Sequence, residues 1–190
     1  MAETAEKRAS PRQRLLAAAD ELFYNEGIRS VGIDRVIERA GVAKGSLYYN
    51  FSGKDDLIKE YLLGRHAAWS TRIDLAIAEH ADPTARILAV FDVLGELFAE
   101  PNFRGCAFTR AVAEAPEGGA ELAAAASFRL WLHEMFSNLV AVLDVEDRSL
   151  LASQLVVLYD GAVAAAQMDG SPASAQTAKT VATVILGAAK

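Results

Sequence analysis

The sequence predicts an all-α fold of about nine helices, with a three-helix unit at the N-terminus and a larger helical part behind it. Three observations predict this. Apolar residues recur at three- and four-residue intervals almost throughout, with no convincing strand-like alternation. Turn-forming clusters cut the remainder into helix-sized pieces. The 190 residues, 52% hydrophobic with only 5 prolines, are enough to bury a substantial core.

The elements follow in order. After a polar start, Ser10-Pro11 supplies an N-cap and a proline at the first helical position, where its missing N–H has no intrahelical partner to lose. Leu15, Leu16, Ala19, Leu22 and Phe23 form the first apolar face, which ends near Asn25-Glu26-Gly27. Ile33, Val36, Ile37 and Ala40 share one side of a shorter helix that stops at Gly41. A third runs from Lys44 to Phe51, and Ser52-Gly53-Lys54-Asp55 reads as a capping box, with Ser52 as N-cap, opening a long fourth. Breaks at Asp82-Pro83, Glu100-Pro101-Asn102, Ala115-Pro116-Glu117-Gly118-Gly119, Val145-Glu146-Asp147 and Asp169-Gly170-Ser171-Pro172 then divide the chain into helices near 53–80, 83–99, 103–114, 119–143, 147–168 and 172–188.

Two short helices joined by Gly41-Val42-Ala43 form a helix-turn-helix, whose second helix enters the DNA major groove. Leu47 and Phe51, four residues apart, face the core and leave Lys44, Gly45, Ser46, Tyr48, Tyr49 and Asn50 outward. Adjacent tyrosines lie about 100° apart on a helix, so both cannot enter one core; Tyr48 is expected to be exposed and Tyr49 partly so. Lys54 sits at a helix start, where free N–H groups and the positive dipole end favour phosphate.

Charge agrees with this placement. The chain carries −6 overall, but residues 1–54 sum to +2 and the remainder to −8. Arg29, Arg35, Arg39, Lys44 and Lys54 cluster between Gly27 and Lys54, against Asp34 and Glu38. An acidic remainder would be repelled by a polyanion and would orient the basic end toward it. Arg29 joins the candidate DNA-binding set on this ground.

Across about residues 10–62 the sequence resembles the TetR family of transcriptional regulators. The resemblance is carried by Asp20-Glu21-Leu22-Phe23 with Gly27, Val36-Ile37-Glu38-Arg39-Ala40-Gly41-Val42, Gly45-Ser46-Leu47-Tyr48-Tyr49-Asn50-Phe51, and Lys54 with Leu57. It implies that Tyr48 and Lys54 hold the DNA backbone, while Lys44 to Ser46 and Tyr49 to Asn50 lie along the groove. Relative to the family pattern, Gly32 stands for Thr, Ile37 for Ala, Ala43 for Ser and Asn50 for His. Ala43 forfeits a cap bond typically worth ~1 kcal/mol.

For the rest of the chain the resemblance implies architecture alone: a DNA-binding domain over 1–52, then an effector-binding and dimerisation domain over 53–190. It further implies a homodimer on double-stranded operator DNA, most often a repressor released by a small-molecule effector. From the residues themselves, Phe91, Leu94 and Phe98 share one helix face, and Phe128, Trp131, Leu132, Met135 and Phe136 stripe another. His66, Trp69, His133 and Tyr159 add polar or aromatic edges. Such stripes are most often plain core; as a group they point to an apolar or aromatic effector. Leu151, Leu155, Leu158 and Ala162, with Ala178, Val181, Ala182 and Ile185, are candidates for subunit pairing or for internal packing.

Other classes fit less well. His66, His80 and His133 form no i, i+4 metal pair, no glycine-rich phosphate loop follows a strand, and no nucleophile setting is recognisable, so neither catalysis nor a metal or cofactor is expected. A helical small-molecule-binding protein or enzyme that no longer binds DNA is the alternative; Lys44, Tyr48 and Lys54 argue against it. The longest uncharged runs fall short of the ~18 apolar residues that span a membrane, and no apolar signal core opens the chain, so a cytoplasmic protein without a membrane partner is expected. The single cysteine, Cys106, cannot close an internal disulfide and reads first as a buried small hydrophobe.

Overall fold

The structure, a computed structural model, describes residues 9–189; the polar start falls mostly within residues 1–8, outside the described residues. Nine helices and no strand occur among the described residues: α1 (Pro11–Glu26), α2 (Ile33–Ala40), α3 (Lys44–Asn50), α4 (Lys54–Ala78), α5 (Pro83–Phe98), α6 (Ala107–Glu114), α7 (Ala120–Val140), α8 (Arg148–Asp169) and α9 (Ala173–Ala188).

The N-terminal signals act as read. Gln13 N–H donates to Ser10 Oγ at 3.3 Å and Ser10 N–H donates to Gln13 Oε1 at 2.8 Å, a reciprocal cap on α1. Gly41 ends α2 in the left-handed region at φ 59°, ψ 42°, a conformation a side chain disfavours. Arg14 of α1 donates from Nε to the Ala40 carbonyl at 2.9 Å and also bonds Gly41 O. It thereby satisfies carbonyls orphaned at the end of α2 and ties α2 to α1.

Two expected helix starts differ. Gly53, not Ser52, is the N-cap of α4, and no side chain caps it. One residue farther out, Ser52 contributes its backbone N–H to Asp56 Oδ2 at 3.0 Å, so the carboxylate half of the motif falls on Asp56 and not on Asp55. α6 begins at Ala107, four residues later than read, because Gly105 adopts φ +87° and interrupts any helix through 103–106. Phe103 instead packs its ring 5.0 Å from that of Phe98.

The core has two connected parts. One joins Leu15, Leu22, Val36, Leu47, Phe51 and Leu57 of α1–α4 to Phe108, Ala111 and Phe128 of α6 and α7. The other unites α4, α5, α7, α8 and α9 around Ile73, Phe91, Leu94, Leu132, Phe136 and Leu155. Trp69, Cys106 and Trp131 pack against both, so the seam between them is aromatic.

Of the residues weighed for subunit pairing, Leu151, Leu155, Ala162, Ala178 and Ala182 are buried inside this chain. They knit α8 to α9 and to the core, the internal alternative. α8 itself is 22 residues long, long and apolar enough to cross a membrane by length and composition alone. Its longest uncharged run, residues 149–159, still ends at Asp160, short of a membrane span. In this fold one face of α8 fills the core, and Asp160 on another pairs with Arg129 of α7 at 2.7 Å.

Candidate functional site

α3 presents its outward face as the spacing requires. Leu47 is fully buried, while Tyr48 is 55% and Tyr49 89% exposed, so the more exposed tyrosine is Tyr49, reversing the expected order. Phe51 follows α3 and is buried, which fixes the helix's roll. Ala43 occupies the N-cap at φ −69°, ψ 148° with no side-chain bond. No atom lies within 4 Å of the point where a side chain on Gly45 would begin, so its bare backbone is open to an approaching surface. Asn50 Nδ2 donates one N–H back to Ser46 O at 2.7 Å, which leaves its second N–H and its amide oxygen available.

The basic residues here are already partnered. Lys44 Nζ donates to Asp34 Oδ1 at 2.9 Å, and that hydrogen bond and charge raise its pKa. Both partners are exposed, and such pairs exchange readily for a stronger anion. Lys54 Nζ donates to the Ile28 carbonyl at 2.6 Å and lies 5.9 Å from the Phe23 ring centroid; burial and then Arg29 lower its pKa. Arg29 donates its N–H to Glu114 Oε2 at 2.8 Å and its Nε to Glu114 O at 2.6 Å. Arg29 and Lys54 therefore also brace the α1–α2 loop, a role their charge does not reveal.

Behind this face lies a cavity of about 540 Å³ among α1, α4, α5, α6, α7 and α8. Trp69, Phe103, Phe108, Phe128 and Tyr159 supply aromatic wall, and Asp20, Arg65, Arg72 and Glu100 line its polar side. A second cavity of about 420 Å³ shares Cys106, Phe108, Phe128, Tyr159 and Val163 with it and reaches Arg129 and Asp160. Trp69 donates its indole N–H to the Tyr159 hydroxyl at 2.8 Å, and burial pushes the Tyr159 pKa up.

Of the residues weighed for a ligand, Trp69, Phe128 and Tyr159 line this space. Phe91, Leu94, Phe98 and Met135 do not; they fill the core of α5 and α7 and border neither cavity. His66 and Trp131 stand behind it, the His66 ring 5.6 Å from Phe128 and 5.2 Å from Trp131, and burial lowers the His66 pKa. Among the described residues no group of three His, Cys, Asp or Glu is arranged to hold a metal.

The cavity also contains residues that the sequence did not mark as candidates for a ligand. Asp20 and Tyr24 reach it from α1, and Arg65 and Arg72 from α4. The only signal was the spacing Arg65, Trp69, Arg72 along one face of α4. Tyr24 couples α1 to the cavity rim: its hydroxyl donates to Gly105 O at 2.9 Å and accepts from Arg104 N–H at 2.9 Å.

Comparison with known proteins places the fold and the helix-turn-helix segment in a family. The family model described as bacterial regulatory proteins, tetR family, matches residues 15–61. A TetR-family transcriptional regulator from Streptomyces coelicolor has the same fold with a TM-score of 0.89 at 34% identity, over 95% of this chain and 90% of that one. A TetR-type regulator from Streptomyces avermitilis gives 0.79 at 31% identity, over 95% and 98% of the two chains. The HTH-type transcriptional regulator SrpR of Pseudomonas putida is 34% identical over 62 residues, 33% of this chain and 29% of that protein. The match to this curated relative thus spans less than a third of its length. With one fold shared from end to end and the helix-turn-helix segment matched by the family model, the chain belongs to the TetR family of DNA-binding transcriptional regulators, which are not enzymes.

Proposed function

We propose that this regulator binds a pseudopalindromic operator as a homodimer, represses transcription there, and is released by a small apolar or aromatic effector. In this reading residues 1–52 bind DNA and 53–190 bind the effector and the second subunit. Arg29, Lys44, Gly45, Ser46, Tyr48, Tyr49, Asn50 and Lys54 form the DNA face, and acting on DNA puts the work in the cytoplasm.

One observation carries the reading: α1, on which α2 and α3 pack, also walls the aromatic cavity through Asp20 and Tyr24. A molecule in the cavity thus touches the same helix that supports the recognition helix. To act, it must bind the DNA-free arrangement better than the DNA-bound one, since equal affinity shifts nothing.

For the dimer, Val157 on α8 and Val184 on α9 are 70% and 65% exposed, and Val157 and Val181 line an open groove that runs between the two helices. This apolar strip supports pairing of α8 and α9 with their copies. The test is fluorescence anisotropy with labelled DNA from upstream of the protein's own coding region. Salt-dependent binding with two-fold footprint symmetry is expected. Binding indistinguishable from that to random DNA would leave the ligand-binding alternative in its place.

A further inference from the structure

We infer that the effector is a neutral aromatic molecule with one hydrogen-bond acceptor, seated with that acceptor on the Tyr159 hydroxyl where the two cavities meet. This rests on the effector reading above and adds the chemistry the site selects.

Tyr159 carries an unspent proton. Tyr159 is only 5% exposed, yet lines both cavities. Its oxygen accepts from Trp69 Nε1–H at 2.8 Å, and among the described residues its own O–H meets no acceptor. A buried donor without a partner costs free energy that a ligand oxygen or nitrogen recovers on binding. Burial keeps the phenol protonated, so the group remains a donor at any ordinary pH. With Trp69 fixing the oxygen, the donor is oriented before a ligand arrives.

The charges around the space exclude an anion. Three arginines border it, and each already faces a carboxylate. Arg65 bonds Asp20 at 2.6 and 2.9 Å, Arg72 bonds Glu100 at 2.7 Å and Glu96 at 3.1 Å, and Arg129 bonds Asp160 at 2.7 Å. A carboxylate ligand would have to displace one of these partners or lie desolvated beside one phenol, both unfavourable. A cation would find no unpaired carboxylate among these residues. What remains is aromatic surface: Phe108 and Phe128 stack face to face at 4.0 Å and 4°, with Trp69 and Phe103 beside them. That geometry suits a flat ring system, which aromatic side chains contact by offset stacking or edge-on.

The test uses three naphthalenes of one shape and different chemistry: 2-acetylnaphthalene, 2-ethylnaphthalene and 2-naphthoate. Binding to the full chain is followed by quenching of tryptophan fluorescence. The ketone is expected to bind roughly tenfold tighter than the hydrocarbon, and naphthoate weakest. In Tyr159→Phe, checked by thermal melting, the ketone's advantage should shrink to within about twofold. Equal affinity of ketone and hydrocarbon in the unmodified protein overturns the inference, with or without a folded variant. So does tighter binding of naphthoate, an advantage retained in Tyr159→Phe, or no binding of any of the three. Operator release is measured separately: selective binding without release removes the effector role and leaves the site chemistry standing.

Discussion

Asp20 of α1 and Arg65 of α4 meet as a two-pronged ion pair, Nε to Oδ1 at 2.6 Å and Nη2 to Oδ2 at 2.9 Å, with the Arg65 guanidinium 3.8 Å over the Tyr24 ring. The pair fastens the helix under the recognition unit to the long helix that leads into the cavity, and both residues line that cavity. Asp20→Asn should lower stability by about 1 kcal/mol, since the pair is partly open to water. In a chain of this size that is a fall of roughly 2–4 °C in melting temperature. The same variant should narrow the gap between operator affinities with and without effector. If melting and gap both match the unmodified protein, this contact is not a coupling element.

The proposed DNA face divides by structural duty. Tyr49 is almost free of the fold, so Tyr49→Ala should weaken operator binding while leaving the melting temperature within error. Lys44→Ala, which removes a cation placed along the groove, should weaken operator binding and lower its salt dependence while leaving the melting temperature close to that of the unmodified protein. Lys54→Met behaves differently, because Lys54 Nζ also closes the α1–α2 loop on Ile28 O. Loss of DNA affinity together with about 1 kcal/mol of stability is predicted. A variant that loses only affinity would show that the loop bond contributes nothing.

His66 gives the stability a pH dependence. Burial against Phe108, Phe128 and Trp131 lowers its folded pKa below the unfolded value near 6.5. The unfolded chain therefore binds the proton more readily. The contribution of neutral His66 is full above the unfolded pKa and is lost as pH falls toward and through the folded one. His66→Phe should flatten the decline in melting temperature between about pH 7 and pH 5. Curves that stay parallel over that range would assign the decline to other groups.

Subunit pairing is testable at an exposed position. Val157 is 70% exposed in the isolated chain, so Val157→Arg adds charge to the proposed interface without disturbing the core. Sedimentation should report a monomer, with operator affinity reduced at least about tenfold because only one half-site is held at a time. A dimer of unchanged stability would place the interface elsewhere.

What the sequence reveals follows the range of the interactions involved. Ser10, Gly41 and the Leu47/Phe51 spacing act within one or two turns, so α1 to α3 are legible to within a residue. The break before α6 depends on one left-handed glycine, Gly105, amid residues that otherwise favour continuing the helix. The cavity is less legible still. An aromatic stripe looks alike whether it faces solid core, as Phe91 and Met135 do, or an open space, as Phe128 does. Which occurs depends on how distant helices abut, and Asp20 and Tyr24 enter the site from a helix whose sequence signals concern only its own cap and apolar face.

Ala43 tests whether the start of the recognition helix is held back by a missing bond. Its backbone, at φ −69° and ψ 148°, already has the extended N-cap geometry, and its side chain is exposed, so a serine fits without strain. Ala43→Ser would let a hydroxyl accept from the N–H of Gly45 or Ser46, an addition of about 0.5–1 kcal/mol. Hydrogen exchange should slow at the first-turn amides of α3, the part of a helix where N–H groups are least well satisfied. The effect on DNA separates two accounts of the alanine. If α3 is ordered only on contact, pre-forming its first turn removes part of that cost and operator affinity rises several-fold. Slower exchange with unchanged affinity would mean that α3 is fully formed before it meets DNA.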